Sequence, residues 1–215
     1  MTKKTEKEKS TKGSRWWGLL VFGLLVFIDQ LTKLFAEVYF LAGNEPITII
    51  PEWISLRLAY NDGIAYGIGS DASAAVKIAV IAATAVMMAL LAVAYCKMDK
   101  RRAFLRVAFI FVIAGGVGNL IDRVYFRVWE TAEAGSFLIG VRDMVDISRF
   151  GFGVCNFADF FISAGAVMIV FALLFFDRDA IFPLGKKYKA LAKEAEEKEE
   201  AKKAEKQAKK QAKNG

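Results

Sequence analysis

Four apolar stretches constrain this chain more than any other feature. Trp16 to Ile28 is uncharged, and the apolar character continues through Asp29, Gln30, Leu31, Thr32 and Lys33 to about Leu41. Ile78 to Cys96, Val107 to Ile121 and Phe160 to Phe176 are uncharged throughout. At about 1.5 Å per residue the Ile78 to Cys96 run alone crosses most of a hydrocarbon core about 30 Å thick. We read the four stretches as membrane helices. That reading also reconciles a 55% hydrophobic composition with a formal charge of +7, because the charge is segregated into tails and loops.

The segregation sets a topology. Residues 1–15 form a basic N-terminal tail holding Lys3, Lys4, Lys7, Lys9, Lys12 and Arg15, residues 16–177 form the four-helix membrane domain, and residues 178–215 form a charged tail. After Leu191 the tail has no large apolar side chain to bury, so it is expected to be a solvated helix or disordered. The first apolar stretch is too long for a secretory signal and lacks a small-residue cleavage site, so it reads as a membrane helix. Asn44 follows Leu41-Ala42-Gly43 where a lipidated cysteine would stand, so the chain does not read as a lipoprotein. Four crossings put both termini on one side. The two tails and the Lys97 to Arg102 loop concentrate the Lys and Arg residues, which makes that side cytoplasmic.

Between Ile47 and Tyr60 the apolar period changes to two, with a Pro51-Glu52-Trp53 turn in the middle. This predicts a short hairpin, part of a small sheet on the extracytoplasmic surface. The expected fold class is therefore membrane all-α, with four transmembrane helices, a small extracytoplasmic β-sheet and a charged cytoplasmic C-terminal tail.

The chain contains no histidine. That removes Ser-His-Asp triads, Cys-His dyads, His-ligated zinc and histidine proton relays together. Cys96 and Cys155 have neither metal-ligand spacing nor a disulfide framework. No metal ligand set and no cofactor motif is visible. The chemistry left is that of carboxylates and amides, and these collect between Gly115 and Asp159, at the edges of two apolar segments. Ionisable groups beside hydrocarbon lose their water, so they mark function by default.

Asp146 and Asp159 are the expected catalytic pair. Hydrolysis of a peptide without metal, serine or cysteine needs one carboxylate to activate water while a second, protonated carboxyl polarises the carbonyl, and adjacent carboxyls titrate as a unit that supplies both. The plainer reading makes Asp159 a helix cap and Asp146 a loop acid. Asp122, beside Arg123 at the end of the third helix, is either a structural ion pair or a reserve catalytic group. Asn119 and Asn156 lie one turn before Asp122 and Asp159, within reach of a carboxylate or a substrate strand. Gly115, Gly116 and Gly118 are explained by close helix packing. Asp29 and Lys33 share a helix face at i, i+4 and neutralise one another, unless Lys33 holds a lipid phosphate.

These blocks together carry a resemblance. Asp29-Gln30-Leu31-Thr32-Lys33, Asn61-Asp62-Gly63-Ile64-Ala65-Tyr66, Gly115 through Arg123, Val145-Asp146-Ile147 and Asn156-Phe157-Ala158-Asp159 occur in the order found in the lipoprotein signal peptidases, or signal peptidase II, and cover most of residues 16–176. The chain resembles those bacterial membrane aspartyl proteases. The resemblance implies an aspartic endopeptidase of the inner membrane that cleaves diacylglyceryl-modified prolipoproteins before the modified cysteine, at the extracytoplasmic face. It implies catalysis by Asp146 and Asp159, with Asn61, Gly63, Asn119, Asp122, Arg123, Asn156 and Ala158 supporting the site or contacting substrate, and a sheet, the β-cradle, that holds the substrate. It further implies membrane lipids as surroundings, inhibition by globomycin-type lipopeptides, no cofactor and no nucleic-acid partner. Compared with the family pattern, the Val124 to Asp143 link is long and the Asp146 to Asn156 link short.

Rival chemistries fit less well. Gly151-Phe152-Gly153 is followed by Val154, where Gly-x-Gly-Asp proteases need aspartate, and no Gly-x-Ser-x-Gly elbow occurs. The alternative function is a small transporter or channel using the carboxylates as a proton relay. Such groups belong near midplane on broken or repeated helices, whereas these sit at span ends and no internal repeat is evident.

Overall fold

The computed structural model describes residues 2–61, 73–129, 140–177 and 179–214, with side chains described between residues 16 and 204. Helix α1 (Thr2–Leu41) leads into a hairpin of β1 (Ile47–Ile50) and β2 (Ile54–Asn61). Helices α2 (Ala74–Lys97) and α3 (Ala103–Tyr125) follow, then β3 (Val141–Asp146), a short 3-10 turn at Ser148–Phe150 and β4 (Val154–Cys155). Helix α4 (Phe157–Phe171) continues as a π-helical turn through Phe176, and α5 (Gly185–Asn214) forms the tail. Four helices, Trp16–Leu41, Ala74–Lys97, Ala103–Tyr125 and Phe157–Phe176, are long and apolar enough to cross a membrane.

The bundle is built around α3, which packs against α1, α2 and α4. Its buried face includes Ala108, Ala114, Gly115, Gly116 and Gly118, and the small side chains let neighbouring backbones approach. A Cβ on Gly115 would stand 2.7 Å from Ile162 Cγ1 on α4 and run into the Ala158 carbonyl, and one on Gly118 would stand 2.5 Å from Asp29 Oδ2 on α1. The packing role expected of these glycines is the one they have. Leu25, Ile110 and Ala114 form the apolar centre, with Val21, Phe22, Tyr95 and Phe161 against it.

Large apolar side chains face outward along the spans: Leu20, Leu24 and Phe27 on α1, Val86 and Leu90 on α2, Val167 and Val170 on α4 are all exposed. Helix α2 buries no residue at all. Among the described residues the largest fully buried side chains are instead polar, namely Lys33, Asn156, Asp29, Asp122 and Asp177. Apolar residues outside and a polar interior suit a chain whose solvent is hydrocarbon, where polar groups must satisfy one another.

All four strands form one antiparallel meander in the order β1-β2-β3-β4. The β1–β2 hairpin lies where the change of period places it. Strands β3 and β4 were not expected, because two residues of β4 carry no readable alternation and β3 (Val-Arg-Asp-Met-Val-Asp) is mostly charged or polar on one face. The β2–β3 ladder pairs Leu56 with Val145 and Ala59 with Asp143, with an irregularity between them. Gly140 enters β3 at φ +153, and a Cβ there would stand 2.7 Å from the Asn61 backbone, so only glycine fits. At the far end of the bundle Arg101 pairs with Asp99 and with Glu194 of α5, and Arg102 pairs with Asp177 and Asp179.

Candidate active site

The end of the bundle beneath the sheet gathers the polar residues of α1, α3, β3 and α4. Asn156 begins α4. Its Oδ1 accepts from the Asp159 backbone N–H at 3.1 Å, while Asp159 Oδ2 accepts from the Asn156 N–H at 3.1 Å, a complete capping box. The plainer reading of Asp159 as the helix cap does not hold: the cap is Asn156, and Asp159 lies in the first turn. Asn156 Nδ2 remains to donate to Asp143 Oδ1 at 2.6 Å and to Asn119 Oδ1 at 3.0 Å. One asparagine thus touches two carboxyl groups.

Asn119, on α3, completes the arrangement. Its Nδ2 donates to Asp159 Oδ1 at 2.7 Å, and its Oδ1 also accepts from Lys33 Nζ at 3.0 Å. Lys33 is fully buried and lies 2.9 Å from Asp29 Oδ2 and 3.8 Å from Asp122 Oδ2. The i, i+4 pairing with Asp29 is as expected, but a lysine held this way does not reach a lipid phosphate. Asp29 uses Oδ1 to accept the Ala158 N–H at 2.9 Å, which ties α1 to the start of α4.

Asp122 does not close on its neighbour Arg123 alone. It accepts from Arg142 through Nε at 3.1 Å, Nη2 at 2.8 Å and the backbone N at 3.0 Å. Arg123, 9% exposed, sits within the field of Asp159, Asp143 and Asp122. Asn61, at the end of β2, donates to Asp143 Oδ2 at 3.2 Å. Gly63 lies outside the described residues.

Sequence reasoning placed Asp146 opposite Asp159, and the strand overturns that geometry. Asp146 lies three residues beyond Asp143, and an odd spacing on a strand sends the two side chains to opposite faces. The Asp146 carboxylate accepts from Arg57 Nε at 2.6 Å and from Ser148 Oγ at 2.5 Å, on the outer part of the sheet. The Ser148 and Arg57 hydrogen bonds hold it at a pKa of about 2, a permanently charged group. Asp143 is the acid that β3 delivers beside Asp159. It is 2% exposed. Burial, reinforced by the Asp159 charge, raises its pKa to about 7. The signal that finds it is its position after Gly140 at the inner end of a strand, which no periodicity in the sequence announces.

Cys155 stands near both acids, donating to the Val145 carbonyl at 3.4 Å. Burial and the charges of Asp159 and Asp143 push its thiol up to about 12, which removes a thiolate nucleophile. The chemistry available to the cluster is carboxyl chemistry.

Four apolar helices holding paired carboxyls under a small sheet define a polytopic membrane protein with an acid-based site, and the comparisons specify which kind. The chain belongs to the signal peptidase II family: the family model described as Signal peptidase (SPase) II matches residues 21–175. The lipoprotein signal peptidase of Fusobacterium nucleatum is 30% identical over 162 residues, covering 74% of this chain and 87% of that protein. The enzyme of the same name from Bifidobacterium adolescentis is 36% identical over 148 residues, 69% of this chain and 71% of that protein. That of Borreliella burgdorferi is 26% identical over 179 residues, 80% and 98% of the two chains. Two solved structures of a bacterial membrane enzyme, obtained by the in meso method, superpose with TM-scores of 0.52 and 0.54 at 25% and 26% identity. Both cover 73% of this chain, and 87% and 92% of theirs. This chain is therefore a signal peptidase II protease acting in lipoprotein processing, and the aspartic type follows from the family. The proton-relay transporter reading has no support.

Proposed function

We propose that Asp143 and Asp159 are the catalytic dyad with which this peptidase hydrolyses diacylglyceryl-modified prolipoproteins, cutting before the modified cysteine. One observation carries the assignment: Asn156 hydrogen-bonds to both carboxyl groups, through Nδ2 to Asp143 and through its backbone N–H to Asp159. No such bridge joins Asp146 to Asp159 among the described residues.

The two environments divide the labour. Asp143, buried and beside another acid, has its pKa raised to about 7, so it holds its proton up to the edge of neutrality, where an ordinary aspartate has long lost it. Asp159 accepts from two N–H donors at a helix N-terminus, where negative charge is stabilised. In hydrolysis Asp159 takes a proton from water as the water oxygen bonds to the scissile carbonyl carbon, and Asp143 gives its proton to the carbonyl oxygen. The tetrahedral intermediate then breaks its C–N bond. Asp159 passes its proton to the departing amine, and Asp143 recovers one from the intermediate hydroxyl as the carbonyl reforms.

Asn119, Asn156 and Asn61 orient the two carboxyls, while Lys33, Asp29 and Ala158 brace the helices beneath them. Asp122 takes a supporting role as the acceptor of Arg142. Arg123 supplies positive charge near the dyad, and Gly63 keeps the substrate-contacting role that the family resemblance gives it.

We place the site at the extracytoplasmic face of the inner membrane. The Lys97 to Arg102 loop and both tails then lie in the cytoplasm, consistent with the distribution of positive charge. Residues 16–177 are the peptidase unit, and residues 1–15 and 178–215 are cytoplasmic appendages. Membrane lipids surround the outward apolar faces, and globomycin-type lipopeptides are the expected inhibitors.

The test is incubation of the purified full chain with one prolipoprotein in lipidated and unlipidated forms. Cleavage of the lipidated form alone supports the reading. Equal cleavage of both overturns the substrate assignment.

A further inference from the structure

The residue before Asp143 is an arginine whose side chain never approaches the reacting carboxyls. Arg142 is 7% exposed and leaves β3 on the face opposite Asp143. Its guanidinium donates to Asp122 Oδ2 and Oδ1 at 3.1 and 2.8 Å, to Glu37 Oε2 at 2.9 Å and to Gln30 Oε1 at 3.2 Å. It thereby joins β3 to α3 through one carboxylate and to α1 through another. Glu37 is itself fixed by the Tyr60 hydroxyl, which donates to Oε1 at 2.7 Å, and Tyr60 is the β2 residue that pairs with Arg142 across the ladder. The Phe126 ring at the end of α3 packs edge-on to Tyr60 and lies 5.1 Å below the guanidinium.

The strand has reason to need such a clamp. Its regular ladder with β2 around Asp143 is only three pairs long, Ala59–Asp143, Tyr60–Arg142 and Asn61–Val141, and breaks before the Leu56–Val145 pair, so a short run of pairs is all that β2 supplies to hold the register of Asp143. On the other side, β4 pairs only with Val145 and Asp146, beyond Asp143. A slip of one residue would turn the acid to the opposite face. Arg142 supplies a planar fork that engages Asp122 with two nitrogens while a third reaches Glu37, a pattern that the single ammonium of lysine does not reproduce.

We propose that Arg142 is a positioning residue for the peptidase reaction: clamped to Asp122 and Glu37, it fixes the depth and rotation of β3 so that Asp143 faces Asp159. This rests on the assignment of Asp143 and Asp159 as the dyad. A misplacement of about 1 Å at a reacting group costs on the order of 100-fold in rate, so the effect belongs in kcat.

The experiment compares Arg142→Lys, Glu37→Gln and Asp143→Asn in the purified full chain, measuring kcat and KM on a lipidated prolipoprotein together with thermal unfolding. Arg142→Lys is expected to lower kcat by about 30- to 100-fold with KM within about threefold, and Glu37→Gln by about 3- to 10-fold with the same split. A folded Arg142→Lys variant with kcat within threefold of the parent overturns the proposal. Should Arg142→Lys fail to fold, Glu37→Gln decides: a lowered kcat at constant KM supports the clamp, and unchanged kcat overturns it. Asp143→Asn separates the two levels. Activity in that variant overturns the dyad and the clamp with it, whereas an inactive Asp143→Asn beside a fully active Arg142→Lys overturns the clamp alone.

Discussion

Asn156 donates a 2.6 Å hydrogen bond to Asp143 while its backbone N–H and side-chain carbonyl are locked to Asp159 in a capping box. The local device that starts helix α4 is thus the same device that sets the spacing of two acids from distant parts of the chain. Helix capping satisfies N–H groups that have no partner within the helix. Here it also presents an amide to the strand above.

The carboxyls are separable by substitution. Asp143→Asn and Asp159→Asn each preserve shape and remove an ionisable group, and each is expected to lower kcat by at least about 1000-fold, as losses of essential acid–base groups do. Asp146→Asn, which loses only a rim contact with Arg57 and Ser148, is expected to stay within about threefold of the parent. Turnover of a lipidated prolipoprotein by the three variants checks this.

A dyad that needs one proton loses activity when both acids ionise. With Asp143 at about 7, kcat/KM is expected to fall on the alkaline side of neutrality, with an apparent pKa near 7 that belongs to the pair. The same group leaves a mark on stability. Between about pH 4, where aspartate ordinarily titrates, and pH 7, the folded chain binds more protons at Asp143 than the unfolded chain does. Its contribution is therefore greatest below about pH 4 and is lost as pH rises to 7. Asp143→Asn is expected to gain stability relative to the parent across that window, by on the order of a few kcal/mol. Thermal unfolding at pH 4 and pH 8 measures it.

Lys33 and Asp29 form a fully buried pair, and removal of one member strands the other. Lys33→Met is expected to destabilise the chain by about 3–5 kcal/mol and to loosen Asn119, which loses a donor. The double variant Lys33→Met with Asp29→Asn should recover part of the stability in detergent melts.

The glycines of α3 are expected to be intolerant and one on α1 tolerant. Gly118→Ala forces a Cβ against Asp29 Oδ2 and should cost about 1–3 kcal/mol. Gly23 has nothing within 4 Å of the added carbon, so Gly23→Ala should be neutral or stabilising by up to about 1 kcal/mol. Melting temperatures of the two single variants decide it.

Helix α5 touches the bundle through the exposed Arg101–Glu194 pair and through Tyr188 against Phe176. Exposed pairs contribute about 0–1 kcal/mol. Deletion of residues 192–215 is accordingly expected to leave kcat and KM unchanged in the purified protein, which a direct turnover comparison checks.

Hydropathy alone determined the four spans, because burial of an uncharged run of such length in hydrocarbon depends on composition and hardly on partners. It also placed Asn119, Asp122, Asn156 and Asp159 at span ends, and Asp29 and Lys33 within the first span. Absence of histidine narrowed the chemistry to carboxyls and amides. Only the tertiary structure decided which acid meets Asp159, since Asp143 and Asp146 are equivalent as letters and differ in the face of β3 they occupy. That face is set by the pairing of Ala59, Tyr60 and Asn61 with β3, by Gly140 against Asn61 and by the contacts of Arg142 with Glu37 and Asp122, all between residues far apart in the chain. Local pattern encodes what a segment buries; the side to which a short strand turns is a property of everything packed around it.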